Sequence, residues 1–271
     1  KMAETCRRLI FEEQDILGVV ISMPKALRAV LDFHHYPAAV EKFLAECLIA
    51  NTLMASRINQ EGELTTQLNA GGSIKMLVAK ANEKLNIRGV AQFDVMADQQ
   101  QLSVDFSSAQ LMITFSPKKR GKITQSIVDI HAGSVSESLE RYFLQSEQVP
   151  SLIFLDHAQG FGLLLQKMPE REGFDTQQWA KFRENLNHIR LEKPVLDFES
   201  WLKVNFSDQL IRVFDPEPIR CVCPCSQERM LAALKTLSQE DIDDLIKEHG
   251  SIEIVCEYCL HEYQFSASEL D

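Results

Sequence analysis

The chain has 271 residues and a formal net charge of -11, with 45% hydrophobic and 25% charged residues. This is the composition of an ordinary globular protein with material for one or two domains, and so acidic a chain lacks the basic surface that phosphate binding requires. No apolar run approaches the ~18 residues of a membrane span, and the first residues lack the basic-then-apolar layout of a signal peptide. The expected location is therefore the cytoplasm, with neither nucleic acid nor membrane as a partner.

With Lys1 set aside, residues 2–175 read as a mixed α+β core domain. Ser22-Met23-Pro24 reads as a helix start, with Leu27, Val30 and Leu31 on one face. Pro37 opens a second helix in which Val40, Phe43, Leu44, Cys47 and Leu48 recur at helical spacing, making Cys47 a core residue. Strand-like runs rich in β-branched residues follow at 63–69, 74–81, 87–95, 111–116 and 122–130, punctuated by Gly62, Gly71-Gly72, Gly121 and Gly133. A helix over about 135–148 comes next, then two apolar runs at 152–155 and 162–168.

Residues 176–220 read as a helical, aromatic-rich linker. Both tryptophans of the chain, Trp179 and Trp201, lie in it together with Phe182, Phe198, Leu202, Phe206 and Leu210. Phe198, Trp201, Leu202, Phe206 and Leu210 share one face if the helix is continuous. Asp215-Pro216-Glu217-Pro218 breaks the pattern.

Residues 221–271 hold five of the seven cysteines: Cys221-Val222-Cys223-Pro224-Cys225, then Cys256-Glu257-Tyr258-Cys259. Two close thiol pairs about thirty residues apart supply the four sulfur ligands of a tetrahedral structural zinc site, one Zn2+ per chain. The spacer explains itself: a helix over 227–237, then a second capped by Ser238-Gln239-Glu240-Asp241 and ending at Gly250, would return the chain and bring the pairs together. So short a segment has little core of its own, which makes a metal useful. His249 and His261 read as surface histidines. Spacing alone leaves the first pair open between Cys221/Cys223 and Cys223/Cys225.

The run Cys223-Pro224-Cys225-Ser226-Gln227-Glu228-Arg229, with Ala233-Leu234-Lys235-Thr236-Leu237 and Cys256-Glu257-Tyr258-Cys259, resembles the zinc end of the heat-shock protein thirty-three family, the redox-regulated holdases also called thirty-three-kilodalton chaperonins. The resemblance extends to Tyr142-Phe143-Leu144-Gln145-Ser146-Glu147-Gln148-Val149-Pro150, to Tyr36-Pro37 and to Arg88-Gly89, and so covers nearly the whole chain. Three places depart from the family pattern: Leu260 where a small or turn-forming residue is usual, Ser126 where glycine is common, and Asn69-Ala70-Gly71-Gly72 in place of a Gly-Asp-Gly turn.

In that family a Cys-x-Cys directly precedes a Ser-x-Glu-Arg, which implies Cys223, Cys225, Cys256 and Cys259 as the zinc ligands and leaves Cys221 as an extra thiol. The resemblance further implies disulfides Cys223–Cys225 and Cys256–Cys259 on oxidation, with loss of zinc and dimerisation. It implies an ATP-independent chaperone of unfolding proteins, not an enzyme. The linker aromatics would then become the surface offered to clients. Two rival readings fit less well. A nucleic-acid-binding zinc ribbon conflicts with residues 221–271, which carry three Lys/Arg against eleven Asp/Glu. A thiol-disulfide oxidoreductase is favoured only by Cys256-x-x-Cys259, which is followed by a strand-like Tyr-x-Phe and not by a helix.

Overall fold

The computed structural model describes residues 4–94, 104–168, 176–189 and 197–270, and the chain divides into the units Lys1–Cys221 and Val222–Asp271. The first begins with an antiparallel pair, β1 (Thr5–Phe11) and β2 (Ile16–Ser22), followed by α1 (Pro24–Leu31) and α2 (Ala38–Ala55). A meander follows: β3 (Gly62–Gly72), β4 (Ile74–Asn82), β5 (Asn86–Phe93), β6 (Val104–Pro117) and β7 (Thr124–Asp129). Next come α3 (Val135–Gln145), β8 (Ser151–Asp156), β9 (Phe161–Lys167), α4 (Thr176–Asn187) and α5 (Phe198–Phe206). Three short strands close the unit: β10 (Ile211–Val213), β11 (Glu217–Pro218) and β12 (Arg220–Cys221). The α+β reading holds. What the sequence left unread is the first two strands and the last three.

Two sheets result. One runs β10-β1-β2-β9-β8, with β11 also on β1; the other runs β12-β5-β4-β3-β6-β7. Helix α2 touches strands of both. The single apolar stripe expected of α2 is too narrow a description, because Phe43, Leu44, Leu48, Ile49, Ala50 and Leu53 are all buried. A helix that is apolar all round belongs inside a protein. Its polar exceptions are satisfied: Asn51 donates to the Leu64 carbonyl at 3.1 Å and accepts from the Thr66 hydroxyl at 2.8 Å. Two glycines let the sheets approach it. A Cβ on Gly162 of β9 would stand 2.6 Å from Ile49 Cγ2 and 3.0 Å from Leu53 Cδ1, and one on Gly89 of β5 would stand 3.1 Å from Leu48 Cδ2.

Strand β2 is buried along almost its whole length, as a strand covered on both faces should be. Its second cover is the aromatic layer of α4 and α5. Phe182, Leu186, Phe198, Trp201 and Phe206 form one buried cluster with Leu9, Phe11, Ile16, Val20, Phe161, Leu163 and Leu165 of the first sheet. Phe11 takes Phe182 and Phe206 edge-on at 5.2 and 5.3 Å, and Trp201 meets Phe161 at 5.4 Å. The single continuous face expected through Leu210 ends early: α5 stops at Phe206 and Leu210 is exposed.

The upstream family-like motifs are structural. The Tyr36 hydroxyl accepts from the Ala91 N–H at 3.2 Å, and Arg88 pairs with Glu63 at 2.8 Å. Tyr142 at the end of α3 sets its hydroxyl 2.7 Å from Ser126 Oγ and 2.8 Å from the Glu147 carboxylate, while Val149 N–H donates to the Phe143 carbonyl. Ser126, where the family often has glycine, thus spends its hydroxyl on the helix end.

The close contact at Gly162 gives a first test. Gly162→Ala should destabilise the protein by about 1–3 kcal/mol, since the new methyl must displace a β-branched side chain on a buried helix. The urea midpoint measures it; an unchanged midpoint would mean that α2 and β9 are not packed this closely.

Candidate metal centre

The second unit starts from sequence signals that the structure uses as written. Ser226 caps α6 (Gln227–Leu234) by accepting the Arg229 N–H, and Ser238 caps α7 (Gln239–His249) by accepting that of Asp241. Gly250 ends α7 in the left-handed conformation, where glycine carries no steric cost. The helices alone do not return the chain, as the sequence had implied. A hairpin does it, β13 (Ser251–Val255) against β14 (Glu262–Ser266), before the closing turn α8 (Ala267–Leu270). Leu234, Ile242, Ile252 and Phe265 are the buried hydrophobic core of this unit.

The two cysteine pairs occupy the loops that these elements frame. Cys223 and Cys225 precede α6, and Arg229 fixes their loop by donating from its guanidinium to the Pro224 carbonyl at 2.8 Å. The Ser-x-Glu-Arg motif is therefore a cap plus a loop clamp. Cys256 and Cys259 sit in the turn between β13 and β14, closed by Leu260 N–H to the Cys256 carbonyl at 2.8 Å and Cys256 N–H to the His261 carbonyl at 2.9 Å. Leu260 has φ 57°, a left-handed conformation that costs a residue with a Cβ more than it costs glycine.

All four sulfurs lie within 4.8 Å of one another. Cys223 Sγ is 3.6 Å from Cys256 Sγ, and Cys225 Sγ is 3.4 Å from Cys259 Sγ. Four thiolates at metal–sulfur bonds of about 2.3 Å stand roughly 3.8 Å apart on a regular tetrahedron, so the donor set and its spacing fit a metal ion. Burial pushes the Cys223 and Cys259 thiols up from their ordinary range. Burial also acts upward on Cys225, but the hydrogen bond from the Tyr263 hydroxyl and those of the neighbouring thiols outweigh it and leave this group lowered. Through the same bond, Tyr263 is pushed up to about 12.

The remaining thiols belong to the first unit. Cys221 lies on β12 in the first unit, paired in parallel with Ile87, and burial pushes its thiol up. Cys6 and Cys47 are fully buried, with Cys6 pushed up to about 12 by desolvation and Cys47 further still. His261 contributes its backbone to the turn and its ring to an edge contact with Tyr263, and His249 is exposed at the end of α7. Of the linker residues, Phe182, Phe198, Trp201 and Phe206 are buried, Trp179 and Leu202 half-buried and Leu210 exposed. The sequence reading missed Tyr263 as a hydroxyl donor to Cys225, at 3.1 Å; its place four residues after the last cysteine, on a strand that must fold back, was the available signal.

Comparison with known proteins follows from this geometry. The family model described as Hsp33 protein matches residues 4–266. A 33 kDa chaperonin of Shewanella frigidimarina is 33% identical over 268 residues, covering 97% of this chain and 93% of its own. One of Proteus mirabilis is 31% identical over 277 residues, covering 97% and 94%. The crystal structure of the 33 kDa chaperonin (heat shock protein 33 homolog) of Thermotoga maritima superposes with a TM-score of 0.79 at 18% identity, covering 98% of this chain and 96% of that one.

The turns that frame the cluster make a second prediction. Gly250→Ala meets no atom within 4 Å but must hold φ 77°, so it should weaken the second unit by about 1 kcal/mol; Leu260→Gly should strengthen it by up to about the same amount. Amide hydrogen exchange over residues 238–266 reads both. Equal protection in the two variants would remove backbone strain as a determinant of this unit's stability.

Proposed function

Because the chain belongs to the Hsp33 protein family, a family of chaperones, we propose that it is a redox-regulated, ATP-independent holdase that binds unfolding proteins under oxidative and heat stress. The observation that carries this reading is the gathering of Cys223, Cys225, Cys256 and Cys259 in a unit whose buried hydrophobic core is four side chains. Zinc is the metal proposed, since four thiolates in a closed shell are its usual structural set. When bound it keeps the four sulfurs as thiolates and adds on the order of 10 kcal/mol to the folding of so small a module.

In the proposed switch, Cys223 bonds to Cys225 and Cys256 to Cys259. As each disulfide forms, its two thiolates give two electrons to the oxidant, a hydroperoxide that takes up two protons and is reduced to water and an alcohol, or to two waters. The paired sulfurs then cease to be ligands. Such small rings constrain little chain and replace none of the lost cross-linking, so the module unfolds. Residues 2–175 act as the core, 176–220 as the linker and 221–271 as the sensor. Trp179, Phe182, Phe198, Trp201, Leu202, Phe206 and Leu210 supply apolar surface to clients, and to a second copy, once α4 and α5 lift from the sheet. One local feature eases that release: the Trp201 indole N–H is buried with no hydrogen-bond partner among the described residues, a penalty of about 1–3 kcal/mol that solvent would relieve.

The reading takes the protein as a cytoplasmic binding protein and not an enzyme, with no nucleic acid or membrane as partner; no helix among the described residues is long and apolar enough to cross a membrane. The oxidoreductase reading loses its one support, because Cys256-x-x-Cys259 lies in a hairpin turn and not where a strand enters a helix.

Three measurements test this. Reduced protein should hold one zinc per chain, kept by Cys221→Ser and lost by Cys225→Ser or Cys256→Ser; metal analysis showing zinc retained in the latter two would overturn the ligand set. Zinc-free, peroxide-treated protein should suppress aggregation of a heat-unfolding client without ATP, while the reduced, zinc-loaded form should do so poorly. Equal activity in both states would end the switch. The tryptophan emission should also move to the red on oxidation, since Trp201 is only 1% exposed in the folded layer; unchanged emission with full activity would place the client surface elsewhere.

A further inference from the structure

We propose that Tyr263 is a positioning residue for the redox chemistry of the cluster, its hydroxyl holding the Cys225 sulfur and slowing that sulfur's attack on hydroperoxides. The inference rests on the metal–thiolate reading given above. Tyr263 donates to Cys225 Sγ at 3.1 Å from β14, where strand pairing with Ile254 fixes its backbone. Its ring packs on the small core of the unit and takes the His261 imidazole at 4.6 Å, 64° between planes. The hydroxyl is thus aimed by a strand, a core contact and a neighbouring ring, which is more than a surface tyrosine needs. The other sulfurs are served differently: Cys223 accepts from the Cys225 backbone N–H, and Cys259 from that of His261.

The step concerned is the first oxidation. The Cys225 sulfur attacks the outer oxygen of a hydroperoxide, an S–O bond forms and the O–O bond breaks. The leaving oxygen takes the electron pair and a proton to become water or an alcohol, and the sulfur, oxidised by two electrons, is a sulfenic acid. A neighbouring thiolate then closes the S–S bond and the hydroxyl departs as water. A hydrogen bond to sulfur is strongest while the sulfur carries full negative charge and weakens as charge flows to oxygen. It stabilises the ground state over the transition state, and so raises the barrier. Outer hydrogen bonds of this kind also support metal affinity.

The test uses the full chain, reduced and zinc-loaded, with hydrogen peroxide as oxidant and site-by-site alkylation read by mass spectrometry. Tyr263→Phe keeps the ring and deletes the donor; Cys225 should oxidise roughly 3- to 10-fold faster, with Cys256 rising less. Replacing Tyr263 by 3-fluorotyrosine at neutral pH, a stronger donor of the same shape, should slow Cys225, and this arm stands even if Tyr263→Phe binds zinc poorly. An unchanged Cys225 rate in both, or equal acceleration of all four sulfurs, would leave Tyr263 a packing residue and overturn the proposal. The holdase reading fails separately, if client aggregation is unaffected by redox state while Cys225 still responds to Tyr263.

Discussion

The second unit has about fifty residues and a hydrophobic core of Leu234, Ile242, Ile252 and Phe265. A core of that size does not offset the conformational entropy of ordering the chain around it. Under the proposed function a metal held by the four sulfurs, which converge within 4.8 Å, makes up the difference, and the local features of the unit serve that convergence. Ser226 and Arg229 hold one loop, while the hairpin and the left-handed Leu260 shape the other. On the proposed reading the stabilising element is also the oxidisable one, and stability and sensing become the same property. A larger core would have separated them.

The first unit shows the opposite economy. Its central helix is buried along most of its length, its strands approach through glycine, and two of its three thiols, Cys6 and Cys47, are buried and held in their neutral form. Cys6 and Cys47 thereby behave as small hydrophobes, and chemistry is confined to the cluster. The layer of α4 and α5 belongs to this first unit and is rich in aromatic contacts with the first sheet. The chain does not leave this layer as a loose tether: Ile211–Val213 and Glu217–Pro218 pair with β1, and Arg220–Cys221 with β5. Any disturbance transmitted along the backbone from Val222 must pass through these short pairings before it reaches the aromatic helices.

Much of this was legible in residues that act locally. Caps at Ser226 and Ser238, the stop at Gly250, the meander and the two thiol pairs all depend on neighbours a few positions away, and their types announce them. What stayed hidden depends on partners far along the chain. Strand β2 is continuous in its hydrophobicity and reads equally as a helix until the layer above it is known. Helix α1 lacks a capping residue at Met23; Glu4, from beyond an intervening hairpin, accepts its Lys25 and Ala26 N–H groups at 2.8 Å. Strands of two or three residues carry no period at all. The contact of Tyr263 with Cys225 left only a faint trace in the sequence for the same reason, since the folded hairpin is what sets the two side by side.

The pairing of β1 with β10 and β11 carries a consequence for how the molecule is made. Leu9 meets Val213 and Thr5 meets Pro218, so the first strand finds its outer neighbours about two hundred residues later in the chain. At roughly 5–20 residues per second, a ribosome would take about 10–40 s to supply them. Throughout that interval β1 presents a bare edge, the kind of surface that recruits stray strands. Such long-range closure also marks a slow folder. A newly made copy of this chain thus carries an open strand edge until Ile211–Val213 and Glu217–Pro218 arrive to cover it.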